Sequence, residues 1–120
     1  MSEMRETQRI NPDLNHDCDR IHLEDYQLEE VILPATKREP ARKAIRIRIQ
    51  GRNLSAVAQP LIASVGTIQV RYMRIAPDER SLEGILLKEP QAGSFVEVIL
   101  GDQDAARHPT PVDPTKIKRV

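Results

Sequence analysis

AIRIRIQGRNLS, at residues 44–55, opens a series of short segments in which apolar and polar residues alternate. PLIASVGTIQVRYMRI (60–75), SLEGILLKEPQAG (81–93) and SFVEVILGD (94–102) follow it, with Gly, Pro, Asn and Asp at nearly regular intervals. A period of two residues is typical of strands that bury one face, and turn residues at this spacing are typical of small antiparallel sandwiches. The pattern therefore predicts an all-β fold, a single antiparallel β-sandwich of about seven strands.

The size and composition of the chain narrow the classes of function. With 120 residues the chain is large enough for one domain and one core. Its only aromatic residues are Tyr26, Tyr72 and Phe95, so the core must consist of Ile, Val and Leu. Sugars and single-stranded nucleic acids are commonly held by stacking on aromatic rings, so the composition disfavours both classes of ligand.

Charge divides the chain into an acidic N-terminal arm, residues 1–25, and a sandwich, residues 26–120. Residues 1–30 contain nine acids and three bases, residues 31–76 contain nine bases and one acid, and residues 77–120 contain six bases and eight acids. We expect the polar arm to be flexible, or ordered only against a partner. An acidic segment thus precedes a basic half-domain, although the formal net charge is zero.

The N-terminus and the cysteine content point to the cytoplasm. The sequence MSEMRETQRINPD has neither the apolar stretch nor the cleavage site of a signal peptide, and no apolar run is long enough to cross a membrane. Cys18 is the only cysteine, so no disulfide can form within the chain. We expect a cytoplasmic protein that does not associate with membranes.

Individual strands can be placed from the alternation. A first strand, 26–33, loses its phase near Glu29 and Glu30, which predicts a bulge or an edge position. Gly84 predicts a bulge or a close backbone approach in the strand 82–87. The cleanest half-buried strand has Ile45, Ile47 and Ile49 facing inward and Arg46 and Arg48 facing outward.

Further strands and turns follow from the same signals. One strand has Ile68, Val70 and Tyr72 on one face, and the stretch Phe95 to Leu100 forms another, with Val96, Val98 and Leu100 facing inward. Turns are expected at 51–53, 66–67, 77–80 and 90–93, an irregular or short helical crossover at 54–59, and a last edge strand in TKIKRV (115–120).

The strand-and-turn elements resemble the IPT/TIG domains, a family of immunoglobulin-like β-sandwiches. IRIQGRNLS is similar to the family's apolar strand that ends in Gly-x-Asn-Leu, and Val65-Gly66 to its hairpin. GSFVEVILGD is similar to its late Gly-x-x-x-Val-x-Val strand. The resemblance covers about residues 27–119 and implies an immunoglobulin-like sandwich, but it carries no site residues because these motifs consist of turn formers.

No set of residues predicts catalysis, a metal centre or a cofactor. The densest candidate metal ligands are His16, Asp17, Cys18, Asp19 and His22, whose spacing matches no zinc motif. The histidines, which include His108, lie in the predicted arm and tail, away from any nucleophile. The acid pairs Asp78-Glu79 and Asp102-Asp104 lie in predicted turns, where carboxylates commonly cap the backbone. We expect no enzyme, no metal and no cofactor.

The candidate partner-binding residues are arginines: Arg46 and Arg48 on the outer face of one strand, Arg71 on that of another, and Arg52 and Arg74 nearby. One interpretation is that they only keep the sheet soluble and its edges unpaired. A second is that they bind an acidic protein, for example the acidic arm of another copy, and so build a homo-oligomer. A third is nucleic-acid binding, which zero net charge and the lack of a basic helix make less favourable.

The sequence therefore predicts a non-catalytic protein-interaction or structural module. It would act as an adaptor or as a subunit of a larger assembly, and by analogy of fold that assembly could be bacterial or phage-derived. The alternative is a nucleic-acid-binding domain that uses the same arginines.

Overall fold

The computed structural model describes residues 20–55, 60–101 and 105–119. Most of the predicted acidic arm, the segment 56–59 of the predicted crossover, and Asp102 and Asp104 lie outside these ranges. The described residues form eight strands: β1 (His22–Leu33), β2 (Arg42–Arg52), β3 (Leu61–Val65), β4 (Ile68–Gln69), β5 (Arg71–Ile75), β6 (Ser81–Leu86), β7 (Val96–Leu100) and β8 (Ala106–Arg107). A 3₁₀ turn, Pro114–Lys116, follows β8.

The strands form two antiparallel four-stranded sheets, which confirms the predicted all-β sandwich. The first sheet has the order β1-β2-β6-β5 and the second the order β4-β3-β7-β8. If β1, β2 and β3 are labelled A, B and C, and β5 to β8 are labelled D to G, the orders become A-B-E-D and C-F-G. This is the arrangement of constant-type immunoglobulin domains, with β4 as a short addition beside strand C.

The core lies between the two sheets, as the alternation predicts. Ile45, Ile47 and Ile49 of β2 are 3%, 0% and 0% exposed, and Val96 and Val98 of β7 are fully buried on the opposite side. Each fully buried side chain of this size contributes about 1.5–3 kcal/mol through removal of apolar surface from water. The fold therefore depends on aliphatic packing.

The pairing of β1 with β2 differs from the prediction in two respects. The register shifts between Leu23 and Asp25, and no shift occurs at Glu29 and Glu30, where the bulge was predicted. The edge position predicted for this strand is confirmed. The turn predicted at residues 51–53 is wrong in part, because Gly51 still belongs to β2 and only the backbone of Asn53 turns, with φ of 62°.

The chain changes sheets after β4, where one continuous strand was predicted. The Val70 N–H donates to the Ala63 carbonyl oxygen at 2.9 Å, and the chain then joins the first sheet as β5. An added Cβ at Gly84 would lie 2.3 Å from the Val70 side chain and 2.8 Å from the Arg71 carbonyl oxygen, so the predicted close backbone approach at Gly84 is confirmed. Tyr72, predicted to share a face with Ile68 and Val70, is instead 72% exposed.

The C-terminal segment packs along the free edge of β1. The predicted strand TKIKRV is mostly absent, because Pro114–Lys116 forms the 3₁₀ turn and only Lys118 pairs with Glu29, in a single parallel bridge. Val112 and Ile117 anchor the segment in the core. The turns predicted within 66–67, 77–80 and 90–93 are confirmed. Within the described ranges no helix has the length and apolar character that a membrane span requires.

Candidate functional site

The outer face of the first sheet carries four of the five predicted arginines. Strand register places them in two rows across the sheet, Glu29-Arg46-Ile85-Arg71 and Gln27-Arg48-Glu83-Arg74. The fifth, Arg52, lies opposite His22 at the end of β2. The structure thus brings Arg46, Arg48, Arg71 and Arg74 onto one surface.

Three of these arginines form ion pairs with glutamates of the same sandwich. Arg46 pairs with Glu29, Arg48 Nη2 lies 3.2 Å from Glu83 Oε2, and Arg52 Nε lies 3.3 Å from Glu24 Oε2. Half-exposed pairs of this kind stabilise a fold by about 0–1 kcal/mol each. Their larger effect is to neutralise the field of the basic half-domain.

The acidic and basic blocks of the sequence meet inside the fold. Four of the nine acids of residues 1–30 lie in β1, and three of them pair with bases of β2, including the contact of 3.7 Å between Lys43 and Glu30. Residues 1–19 retain five acids and two bases. A third of the acids of residues 1–30 are therefore part of a cross-strand ladder of charges, although only Glu24 among them belongs to the predicted arm, residues 1–25.

Arg71, Tyr72 and Arg74, which we call the β5-edge patch, lie on the free edge of the first sheet. No salt bridge is recorded for either arginine within the described part of the chain. Tyr72 has φ of 54°, a left-handed conformation that is unusual for a bulky residue, and the register shifts between Arg71 and Arg74. The bulge turns the aromatic ring outward.

A second feature is an open groove of about 650 Å³ between β1 and residues 108–118, which we call the β1-edge groove. The C-terminal segment closes it at two points. The Tyr26 hydroxyl donates to the Thr110 carbonyl oxygen at 3.0 Å, and the Lys118 N–H donates to the Leu28 carbonyl oxygen at 3.1 Å. The groove was not predicted, since the segment that forms it has no regular periodicity.

His108 fixes one end of the groove. It is 8% exposed, and it is the only buried polar or charged side chain within the described ranges. Its Nδ1 accepts a hydrogen bond from the Thr110 N–H at 3.1 Å, and its Nε2 lies 3.2 Å from the Glu24 carbonyl oxygen. The ring also makes an edge contact with Tyr26, at 5.0 Å between centroids. The residue that the sequence placed in the tail is therefore a buried link between the C-terminal segment and β1.

The Tyr26 hydroxyl has a raised pKa in the fold. Burial is the main cause, followed by the negative charges of Asp25 and Asp113. Because the folded state holds this proton more tightly than the unfolded state, the resulting stabilisation is complete below pH 10.0, the ordinary pKa of tyrosine, and is lost as pH rises through the folded pKa.

A spectrophotometric titration tests this shift. We expect the tyrosinate absorbance of a Tyr72→Phe variant, in which Tyr26 is the only tyrosine, to rise with a midpoint above 10.0. Unfolding the same variant in urea should return the midpoint to the ordinary value. A midpoint at or below the ordinary value in the folded variant would contradict the burial of this hydroxyl.

Of the residues considered for metal binding, the described structure contains His22 alone. His16, Asp17, Cys18 and Asp19 lie outside it, and the described residues contain no group of three His, Cys, Asp or Glu able to hold a metal. Asp78 Oδ1 accepts the Arg80 N–H at 3.0 Å, and Glu79 has φ of 60°, so this acid pair shapes a turn.

Comparisons with protein-family models, with curated proteins and with solved structures give no match to this chain. The IPT/TIG resemblance therefore stays a prediction, and functional inference depends on the surfaces described above.

Proposed function

We propose that this chain is a non-catalytic interaction module that assembles with other copies of itself, in which the β5-edge patch of one copy binds the acidic N-terminal segment of the next. The observation that carries the proposal is Tyr72, an aromatic side chain 72% exposed on a free sheet edge between two arginines without salt bridges among the described residues.

The local backbone supports a role for this ring. A left-handed conformation costs a non-glycine residue about 1–2 kcal/mol, and here the cost is not offset by burial of the side chain. Conformations of this kind concentrate at functional sites. Tyrosine and arginine are also the residues most enriched at the energetic centres of protein interfaces.

Charge favours an acidic occupant for the patch. Arg71 and Arg74 bring two positive charges to the edge, whereas Arg46, Arg48 and Arg52 already have carboxylate partners. Residues 1–19, with five acids against two bases, supply a complementary segment on every copy. Contact of this segment with the next copy's patch is head-to-tail, so assembly would produce rings or filaments.

Nucleic-acid binding has less support from the same surface. Glutamates of the same sandwich neutralise three of the five arginines, which leaves no broad basic patch for a phosphate backbone. A single exposed tyrosine is also a small platform for base stacking.

Sedimentation velocity on the full chain, over a concentration series at low and physiological salt, tests the proposal. We expect reversible, salt-sensitive self-association that weakens about tenfold or more in Tyr72→Ser and in Arg71→Glu/Arg74→Glu. The matched control is Lys37→Glu/Arg38→Glu, which makes the same charge change in the exposed loop between β1 and β2.

A charge exchange makes the test specific. Replacing Glu3, Glu6, Asp13, Asp17 and Asp19 by lysine should abolish association, and adding Arg71→Glu/Arg74→Glu to that variant should restore it. A wild-type chain that stays monomeric throughout, or a patch variant that behaves like the loop control, would overturn the proposal. Retention of a labelled oligonucleotide at physiological salt would instead favour the nucleic-acid alternative.

A further inference from the structure

The free edge of β1 has an open position in its hydrogen-bond pattern, inside the β1-edge groove. Lys118 bridges two β1 residues in the manner of a parallel strand: its N–H donates to the Leu28 carbonyl oxygen at 3.1 Å, and its carbonyl oxygen accepts the Glu30 N–H at 2.7 Å. Leu28 and Glu30 therefore direct their backbone groups away from β2. Since backbone direction alternates along a strand, Tyr26 directs its groups to the same free edge.

A parallel neighbour would continue this pattern at Tyr26 and Leu28. In such a strand, the residue two positions before the one at the Lys118 position would donate its N–H to the Tyr26 carbonyl oxygen. The carbonyl oxygen of the same residue would accept the Leu28 N–H. In this chain that residue would be Lys116, but Lys116 lies in the 3₁₀ turn. No hydrogen bond is recorded for the Tyr26 carbonyl or the Leu28 N–H within the described residues, and the space that the turn leaves is the groove.

The charges that line the groove sum to a positive value and so favour an acidic occupant, because four bases, Arg46, Arg48, Lys116 and Lys118, line it with three acids. Its three acids are already engaged: Asp25 accepts the Tyr26 N–H at 2.8 Å, Glu29 pairs with Arg46, and Asp113 accepts the Thr115 N–H and hydroxyl at 3.0 Å and 2.7 Å. The Thr115 hydrogen bonds, and secondarily the Lys116 charge, lower the pKa of Asp113, so this carboxylate keeps its negative charge and faces the positive charge of Lys116. Lys116 and Lys118 are exposed, and no salt bridge is recorded for either in the part of the chain that the structure describes.

We infer that the β1-edge groove is a docking site for an extended acidic segment of a partner protein, which adds to the first sheet at Tyr26 and Leu28. Main-chain hydrogen bonds to the two open backbone groups supply affinity, as in other strand-addition complexes. Lys116 and Lys118 select carboxylate side chains, and Pro111 and the Tyr26 ring provide apolar contact. This site is separate from the β5-edge patch, which lies on the opposite edge of the sheet.

Amide correlation NMR of the full chain, titrated with a capped peptide of alternating Glu and Val, tests the site. We expect the Leu28 amide to shift and to become protected from hydrogen exchange. A peptide of alternating Lys and Val, and an acidic peptide with N-methylated amides, should bind about tenfold more weakly or not at all. The variant Lys116→Glu/Lys118→Glu should bind the acidic peptide about tenfold more weakly, whereas Lys37→Glu/Arg38→Glu should bind it with unchanged affinity.

Three outcomes would contradict the inference, each at a different step. Equal binding of the basic and acidic peptides would overturn the charge argument. Shifts confined to Arg71, Tyr72 and Arg74 would assign the peptide to the β5-edge patch and overturn the groove as its site. If the Leu28 amide is already protected from exchange in the free protein, the chain's own C-terminal segment occupies the position and the inference is wrong.

Discussion

Replacement of Gly51 by alanine is expected to lower the free energy of unfolding by about 3 kcal/mol. An added Cβ would lie 2.0 Å from the His22 carbonyl oxygen and 3.0 Å from its carbonyl carbon. Both atoms belong to the backbone, so no side chain can rotate to make room. The change should force apart β1 and β2 where the register shifts, between Leu23 and Asp25. Urea unfolding followed by far-ultraviolet circular dichroism measures the effect.

Gly93→Ala is the control for this experiment. Gly93 has φ of +87°, but an added Cβ there would meet no atom within 4 Å. Its replacement should therefore cost only the backbone strain, about 1 kcal/mol. Gly51 has no positive φ, so its replacement adds no strain of this kind, and a loss at position 51 no larger than the loss at Gly93 would contradict the close approach of β1 and β2.

The core could be predicted from the sequence because burial of one strand face imposes a period of two residues. Ile45, Ile47 and Ile49 have the predicted orientation, as do Val96 and Val98. The argument failed where the chain leaves a sheet. Alternation was continued through Val70 to Tyr72, but Val70 is the point at which the chain crosses between sheets, and the left-handed Tyr72 reverses the faces that follow.

The candidate site was predicted to include Arg46, Arg48 and Arg71 on outer strand faces, and this orientation is correct for all three. The ion pairs of Arg46 and Arg48 could not be predicted, because strand register decides which glutamate faces which arginine. The register depends in turn on a bulge between Leu23 and Asp25, and the sequence signal placed this bulge at least four residues too late, near Glu29 and Glu30. Local alternation records which face a residue occupies and carries no information about its cross-strand neighbour.

The groove was missed for a different reason. His108 lies between two prolines and an arginine in a segment with no apolar period, which is the usual composition of an unstructured tail. Its burial comes from contacts with β1 residues more than eighty positions earlier in the chain, such as Glu24. A lone histidine in such a segment gives no local signal for a contact at this distance.

His108 should nevertheless be among the most sensitive positions in the protein. We expect His108→Ala to lower the free energy of unfolding by about 2 kcal/mol, because it removes a buried ring, the acceptor of the Thr110 N–H in a partly buried site, and the edge contact with Tyr26. Since Tyr26 and Thr110 are joined by their own hydrogen bond, the loss should spread to the C-terminal segment. Urea unfolding and hydrogen exchange of residues 110–118 measure the two effects.

Two amide variants separate the roles of the ring nitrogens. The oxygen of His108→Asn can replace Nδ1 as acceptor for the Thr110 N–H, and the amide nitrogen of His108→Gln can replace Nε2 beside the Glu24 carbonyl. Each should recover part of the loss. If only the His108→Asn variant protects residues 110–118 from exchange, the bond to Thr110 holds the C-terminal segment on β1. If only the His108→Gln variant does so, the contact with Glu24 holds it. A His108→Ala variant that matches the wild type in both urea unfolding and hydrogen exchange would contradict a linking role for His108. The segment that His108 holds also forms one wall of the β1-edge groove. Variants that release this segment should therefore also bind the acidic peptide more weakly.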